Sequence, residues 1–148
     1  MELVYLWVED YKNIKKQGFN FSSNFECEFT PVYKDDRKTI LSDKSELKIT
    51  SKDNPLKGFF GENINVTAIV GENGSGKSSI LKSILQIKDF PNDYIVVYKE
   101  NDTIFYNSNI EKNINIINAD VTKDVNNDLL RNTISYDKFS HIMDSYRY

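Results

Sequence analysis

Nine consecutive residues, Gly71-Glu72-Asn73-Gly74-Ser75-Gly76-Lys77-Ser78-Ser79, combine the side chains and the spacing needed to grip a polyphosphate. They fit the pattern G-x-x-x-x-G-K-S/T, with glycines at Gly71 and Gly76, a lysine at Lys77 and a hydroxyl at Ser78. A polyphosphate is compact and highly charged, so a loop around it must turn several main-chain N–H groups inward. Glycine permits the close approach and the positive φ angles this requires, and Gly71, Gly74 and Gly76 supply that freedom. Lys77 adds a mobile positive charge near the β and γ oxygens and is the catalytic candidate. The Ser78 hydroxyl is suited to hold a Mg²⁺ ion that bridges the same oxygens. Asn73 and Ser75 fill out the loop, and Ser79 falls one residue further on, toward the α-phosphate. The chemistry implied is binding of ATP with Mg²⁺.

Such a loop works only when a strand feeds it and a helix follows, because the first turn of the helix offers unpaired N–H groups and a positive dipole end to the phosphates. Upstream, the β-branched run Ile64-Asn65-Val66-Thr67-Ala68-Ile69-Val70 predicts a buried strand. Downstream, Ile80, Leu81, Ile84, Leu85 and Ile87 fall at helical spacings and predict a helix from Lys77 to Lys88 with one apolar face, ended before Pro91.

Composition narrows the setting. The chain has 148 residues, 39% of them hydrophobic, and a net charge of −3, which fits one globular domain with a proper core. The longest apolar stretch, Leu3 to Val8, is far below the roughly 20 residues that cross a membrane, and no basic leader precedes it, so a cytoplasmic protein is expected. Cys27 is the single cysteine and alternates with glutamates in Phe25-Glu26-Cys27-Glu28-Phe29, as a buried structural thiol would. His141 is alone and receives no chemistry. The basic clusters Lys12, Lys15, Lys16 and Lys34, Arg37, Lys38 read as solvated surface, and the mild acidity of the chain gives nucleic-acid binding no support.

The pattern predicts an α/β domain with four stretches. A β-rich region spans 1–63, with strands at Leu3–Val8, at Phe25–Phe29 and at Glu46–Thr50. The polar stretch Tyr11–Gly18 and the charged stretch Lys34–Ser45 read as connections, and Leu56, Phe59 and Phe60 as anchors for the approach to the loop. Strand, phosphate loop and helix occupy 64–90. In 91–120 a hairpin pairs Tyr94–Tyr98 with Thr103–Tyr106 across Lys99–Asp102, and a further strand lies within Asn113–Ala119. The last stretch, 121–148, has a helical pattern, with Leu129, Leu130 and Ile134 on one patch and Tyr136, Phe139, Ile142, Met143 and Tyr146 on another.

Hydrolysis needs more than a cradle: a second acid on the Mg²⁺ and a group that orients water. Asp120, after Ile114–Ala119, is the best placed acid downstream of Ser79, although two asparagines interrupt its strand. Glu9 and Asp10 end an apolar run but precede the loop, and neither Gln17 nor Gln86 is placed by sequence order to position a water. Two other readings stand beside ATP binding by part of a larger ATPase. One is a self-contained small P-loop NTPase or phosphotransferase using Asp120. The other is a non-catalytic interaction module that uses the aromatic face around Phe139.

The loop Gly71–Ser79, preceded by Leu3-Val4-Tyr5-Leu6-Trp7-Val8-Glu9-Asp10-Tyr11-Lys12-Asn13-Ile14, resembles the N-terminal part of ABC-class ATPases. Within that class it resembles the bacterial SMC-like and overcoming-lysogenization-defect-like proteins, often labelled AAA-family ATPases. The resemblance covers about the first 90 residues well and implies a P-loop NTPase fold in which an N-terminal, partly antiparallel sheet flanks the nucleotide. Tyr11-Lys12-Asn13-Ile14 matches the family's turn after the first strand, which approaches the phosphates, so the resemblance makes Lys12 and Asn13 nucleotide-binding candidates. Family members also carry a signature motif, an Asp-Glu pair and a switch histidine, none identifiable here, and they hydrolyse ATP at a dimer interface. The resemblance therefore implies the first lobe of an ATPase head, with a homodimer or the missing C-terminal half as partner and DNA repair or phage defence as the setting.

Overall fold

A computed structural model of the chain describes residues 1–38, 40–52, 61, 66–87, 92–110, 114–117 and 121–123. Eight strands and one helix are found among them: β1 (Glu2–Tyr11), β2 (Ile14–Asn20), β3 (Phe25–Thr30), β4 (Glu46–Ser51), α1 (Lys77–Leu85), β5 (Tyr94–Glu100), β6 (Thr103–Ser108), β7 (Asn115–Ile117) and β8 (Val121–Lys123). The strands form a five-stranded sheet in the order β2-β1-β5-β6-β8 and a three-stranded sheet in the order β3-β4-β7. Most neighbours are antiparallel, while β4–β7 and β6–β8 are parallel.

β1 is the spine because both its faces are apolar. One face gives Val4, Tyr5 and Trp7 to a core shared with Cys27 and Phe29 of β3 and Leu47 and Ile49 of β4, so the small sheet packs on the large one. Trp7 and Phe29 meet edge to face with ring centroids 4.7 Å apart, an arrangement favoured by the ring quadrupoles. The opposite face gives Leu6 and Val8, which with Val96 and Tyr98 of β5 pack against Ile80 and Ile87. A register shift between Leu3 and Tyr5 sends the adjacent residues Val4 and Tyr5 into the same core, as the extra residue of a β-bulge does. The β5–β6 hairpin closes through Asn101 and Asp102, with Asn101 at φ 53, a left-handed angle that asparagine tolerates.

Several expectations need correction. Tyr11–Gly18 is not a connection: most of it belongs to β2, which pairs with β1 and, among the described residues, with no second strand, and whose Lys15, Lys16 and Gln17 are exposed. Residues 66–70 are not a buried strand. Val66 is 56% and Val70 87% exposed, and no strand pairs with this segment among the described residues. A β-branched run becomes a strand only where a neighbour takes its hydrogen bonds and covers its faces. The helix ends at Leu85 rather than Lys88, and Leu81, 45% exposed, is not on its buried face. The stretch Lys34–Ser45 contains a buried Leu41 that bridges to Tyr33. At 121–148 the expected helical segment opens with strand β8, whose Val121 and Thr122 pair with the open edge of β6. Residues 124–148, with Phe139 and His141, lie outside the described residues, as do Leu56, Phe59, Phe60 and Asp120.

Candidate functional site

The loop between Val70 and α1 gets its shape from glycines used for different reasons. Gly74 has φ 84 and Gly76 has φ 99, a region closed to most L-residues by the clash of Cβ with backbone. Gly71 is needed for closeness instead, because a Cβ there would stand 2.6 Å from Ser75 Oγ. The Ser75 N–H donates to the Glu72 carbonyl at 3.2 Å and makes the tight turn at the loop's tip.

Gly76 is the residue before the helix, with no side-chain cap on it. The first helical bond runs from the Ile80 N–H to the Gly76 carbonyl at 2.9 Å. The N–H groups of Gly76, Lys77, Ser78 and Ser79 therefore precede the helical ladder, and no partner for them is found among the described residues. Four consecutive main-chain donors at a helix start form an anion-binding surface. Lys77 Nζ donates to the carbonyls of Gly71 and Glu72 at 2.7 and 2.8 Å. An ammonium has three N–H donors, so one remains for a ligand while two brace the mouth of the loop. Ser78 is exposed, and its hydroxyl has no hydrogen-bond partner among the described residues.

The β1–β2 turn reaches this loop. Asn13 Nδ2 donates to the Gly74 carbonyl at 3.0 Å, and the Ser79 hydroxyl donates to Asn13 Oδ1 at 2.9 Å. Tyr11, two residues earlier, donates its hydroxyl to Gln86 Oε1 at 2.9 Å and ties the same turn to the far end of α1. Lys12, at φ 55, holds its ammonium over the Tyr11 ring, 5.2 Å from the centroid. The structure thus brings Asn13 onto the loop, while Lys12 has no contact with it among the described interactions.

Beside the loop, a groove of about 440 Å³ runs from Gly71, Ser75 and Lys77 to Phe19 of β2 and Phe21 just beyond it. Glu9 is engaged elsewhere, with Tyr33 and Lys16, and Asp10 with Lys15. Two ties escape the motif: the Tyr11–Gln86 hydrogen bond and the bracing of Lys77 on its own loop. The first had a signal, an aromatic residue opening the turn that carries Asn13. The second depends on backbone carbonyls and has none.

Residues 61–147, more than half of the chain, match the family model described as ABC transporter. The chain belongs to the ABC transporter family. Neither the curated proteins nor the solved structures offer a match. Membership makes this an ABC-type P-loop ATPase domain that binds ATP, and the cradle at Gly71–Ser79 lies inside the matched region. No helix among the described residues of this ABC-family chain is long and apolar enough to cross a membrane.

Proposed function

We propose that Gly71–Ser79 is the seat of ATP bound with Mg²⁺, and that the chain is the ATP-binding segment of an SMC-like or overcoming-lysogenization-defect-like ATPase. The observation that carries the ATP site is the conjunction of four amides, from Gly76 to Ser79, with an ammonium that keeps one donor, all without a partner among the described residues. Charge-assisted donors of this kind suit phosphate oxygens. The Ser78 hydroxyl, exposed and without a partner among the described residues, fits the Mg²⁺. When bound, the ion supplies neutralisation of the β and γ oxygens. The residues of the chain itself do three things: Lys77 braces the loop through the Gly71 and Glu72 carbonyls and offers its third proton, Gly76–Ser79 receive phosphate oxygens, and Ser78 would hold the ion. The narrower placement is supported by the β1–β2 turn, whose Asn13 touches the loop as the family turn would. Work in the cytoplasm, in DNA repair or phage defence, and hydrolysis across a homodimer or with a further half of the head, belong to the same proposal.

Isothermal titration of Mg·ATP into wild type and Lys77→Ala is the test. Loss of a charged hydrogen bond of roughly 1.5–3 kcal/mol predicts about 10- to 150-fold weaker binding. Unchanged affinity in Lys77→Ala overturns the site.

A further inference from the structure

One side chain from outside the loop holds it at three points. The Gly74 carbonyl can only accept, so the Asn13 amide must turn its NH₂ toward it, 3.0 Å away. That orientation leaves Oδ1 for Ser79, whose hydroxyl must then donate, at 2.9 Å. Flipping the amide would set oxygen against oxygen at Gly74, so that bond fixes a single orientation, and the Ser79 hydroxyl, which can donate or accept, follows it. Gly76 completes the contact, since a Cβ there would come within 3.0 Å of Asn13 Nδ2.

We propose that Asn13 is a positioning residue for the phosphate loop: it acts through Gly74 and Ser79, and it does not touch the nucleotide. The inference rests on the ATP-binding reading above. Gly74 and Gly76 are the two loop residues at positive φ, and glycine loses more conformational freedom on ordering than any other residue. Pinning the Gly74 carbonyl from outside restrains the loop before ligand arrives, which lowers the ordering cost of binding. Ser79 has a single proton and donates it to Asn13 Oδ1. Its hydroxyl is therefore part of the brace, and its main-chain N–H is the group it offers to phosphate. The turn that carries Asn13 is itself anchored, because Ile14 is buried in the core and Tyr11 is tied to Gln86.

The test combines amide hydrogen exchange on the nucleotide-free 148-residue chain with titration of Mg·ATP. Asn13→Ala is expected to speed exchange at the hydrogen-bonded amides of Ser75 and Ile80 several-fold, leave exchange in β5 and the melting temperature unchanged, and weaken Mg·ATP binding about 5- to 30-fold, the worth of one or two hydrogen bonds. Asn13→Asp gives no rescue, because a carboxylate has no donor for the Gly74 carbonyl. Ser79→Ala combined with Asn13→Ala weakens binding by less than the product of the separate effects, as expected of groups that act through each other. Weakened binding in Lys77→Ala with unchanged binding in Asn13→Ala overturns the positioning role and leaves the ATP site standing. Unchanged binding in Lys77→Ala overturns the ATP site, and unchanged exchange at the Ser75 and Ile80 amides in Asn13→Ala then overturns the brace as well. A fall in melting temperature with faster exchange throughout the sheet would make Asn13 a general fold residue and also overturn the proposal.

Discussion

Alanine at Gly74 and at Gly76 separates two costs that glycine avoids. Gly74, at φ 84, faces open space: a Cβ there would meet nothing within 4 Å. The penalty is then the backbone conformation alone, roughly 1–2 kcal/mol for an L-residue held left-handed. Gly76, at φ 99, carries the same backbone penalty, and its Cβ would also come within 3.0 Å of Asn13 Nδ2 and 3.4 Å of Asn13 Oδ1. Overpacking of this kind adds about 1 kcal/mol or more. The loop of an empty protein can relax away from the strain, so the loss falls on the ligand-gripping shape. At about 1.4 kcal/mol per tenfold in affinity, Gly74→Ala should weaken Mg·ATP about 5- to 30-fold and Gly76→Ala about 30- to 150-fold. Calorimetric titration at fixed salt measures both, with thermal melts to show that both variants fold. The reasoning is refuted if Gly74→Ala is the weaker binder of the two, or if either binds as wild type does.

Two further expectations concern the scaffold. Gly18→Ala would put a Cβ 2.0 Å from Tyr5 Oη and 2.6 Å from Tyr5 Cζ, against a ring that is itself buried. Overpacking of about 1–3 kcal/mol outweighs the roughly 0.4–1 kcal/mol gained from a stiffer unfolded chain, so melting should fall by about 2–6 °C. An unchanged or higher melting temperature contradicts this. Burial pushes the Cys27 thiol up from 9.0 to about 12, with Glu26 adding to the rise and Lys52 opposing it. A folded-state pKa above the unfolded one stabilises fully below the unfolded value and is lost as pH rises past it. Stability should therefore decline from about pH 9 upward by at most about 1.4 kcal/mol per pH unit. Urea midpoints between pH 8 and 10 should show this slope in wild type and a flatter one in Cys27→Ala, because burial raises Tyr5 and Tyr33 from an ordinary value of 10.0 and they add their effect above that window. Equal slopes refute it.

The parts legible in the sequence were those whose residues answer to local physics. Phe25, Cys27 and Phe29 alternate with glutamates because one face of β3 is covered and the other wet, and the structure repeats that alternation. Tyr94–Tyr98 reads as apolar throughout because both faces of β5 are buried. The loop was legible for a similar reason: Gly74 and Gly76 stand where the backbone demands them. β2 escaped because its polar residues Lys15, Lys16 and Gln17 are strand only by virtue of β1 beside them. β8 escaped because it is a three-residue strand paired in parallel to a distant one, β6, whereas β7 falls within the strand expected at Asn113–Ala119. Val66 and Val70 misled in the other direction: their β-branched chemistry suits a strand, but the described residues supply no neighbour to make one. Within the site, Asn13 could be nominated from its turn, whereas its hydrogen bonds to Gly74 and Ser79 depend on how the turn folds across the loop.

The placement of β1 between β2 and β5 sets a schedule for synthesis. Its partner on one side follows after a short turn, so that hairpin can close early, but Val8 must wait for Tyr94 and Glu2 for Lys99. At about 5–20 residues per second, the ribosome delivers the second partner about 5–20 s after the first strand emerges. Throughout that interval Leu6, Trp7 and Val8 belong to a hairpin with one raw edge, the arrangement most prone to pair with a neighbouring nascent chain. Slower elongation or crowded polysomes should therefore lower the yield of folded protein before any property of the phosphate loop comes into play.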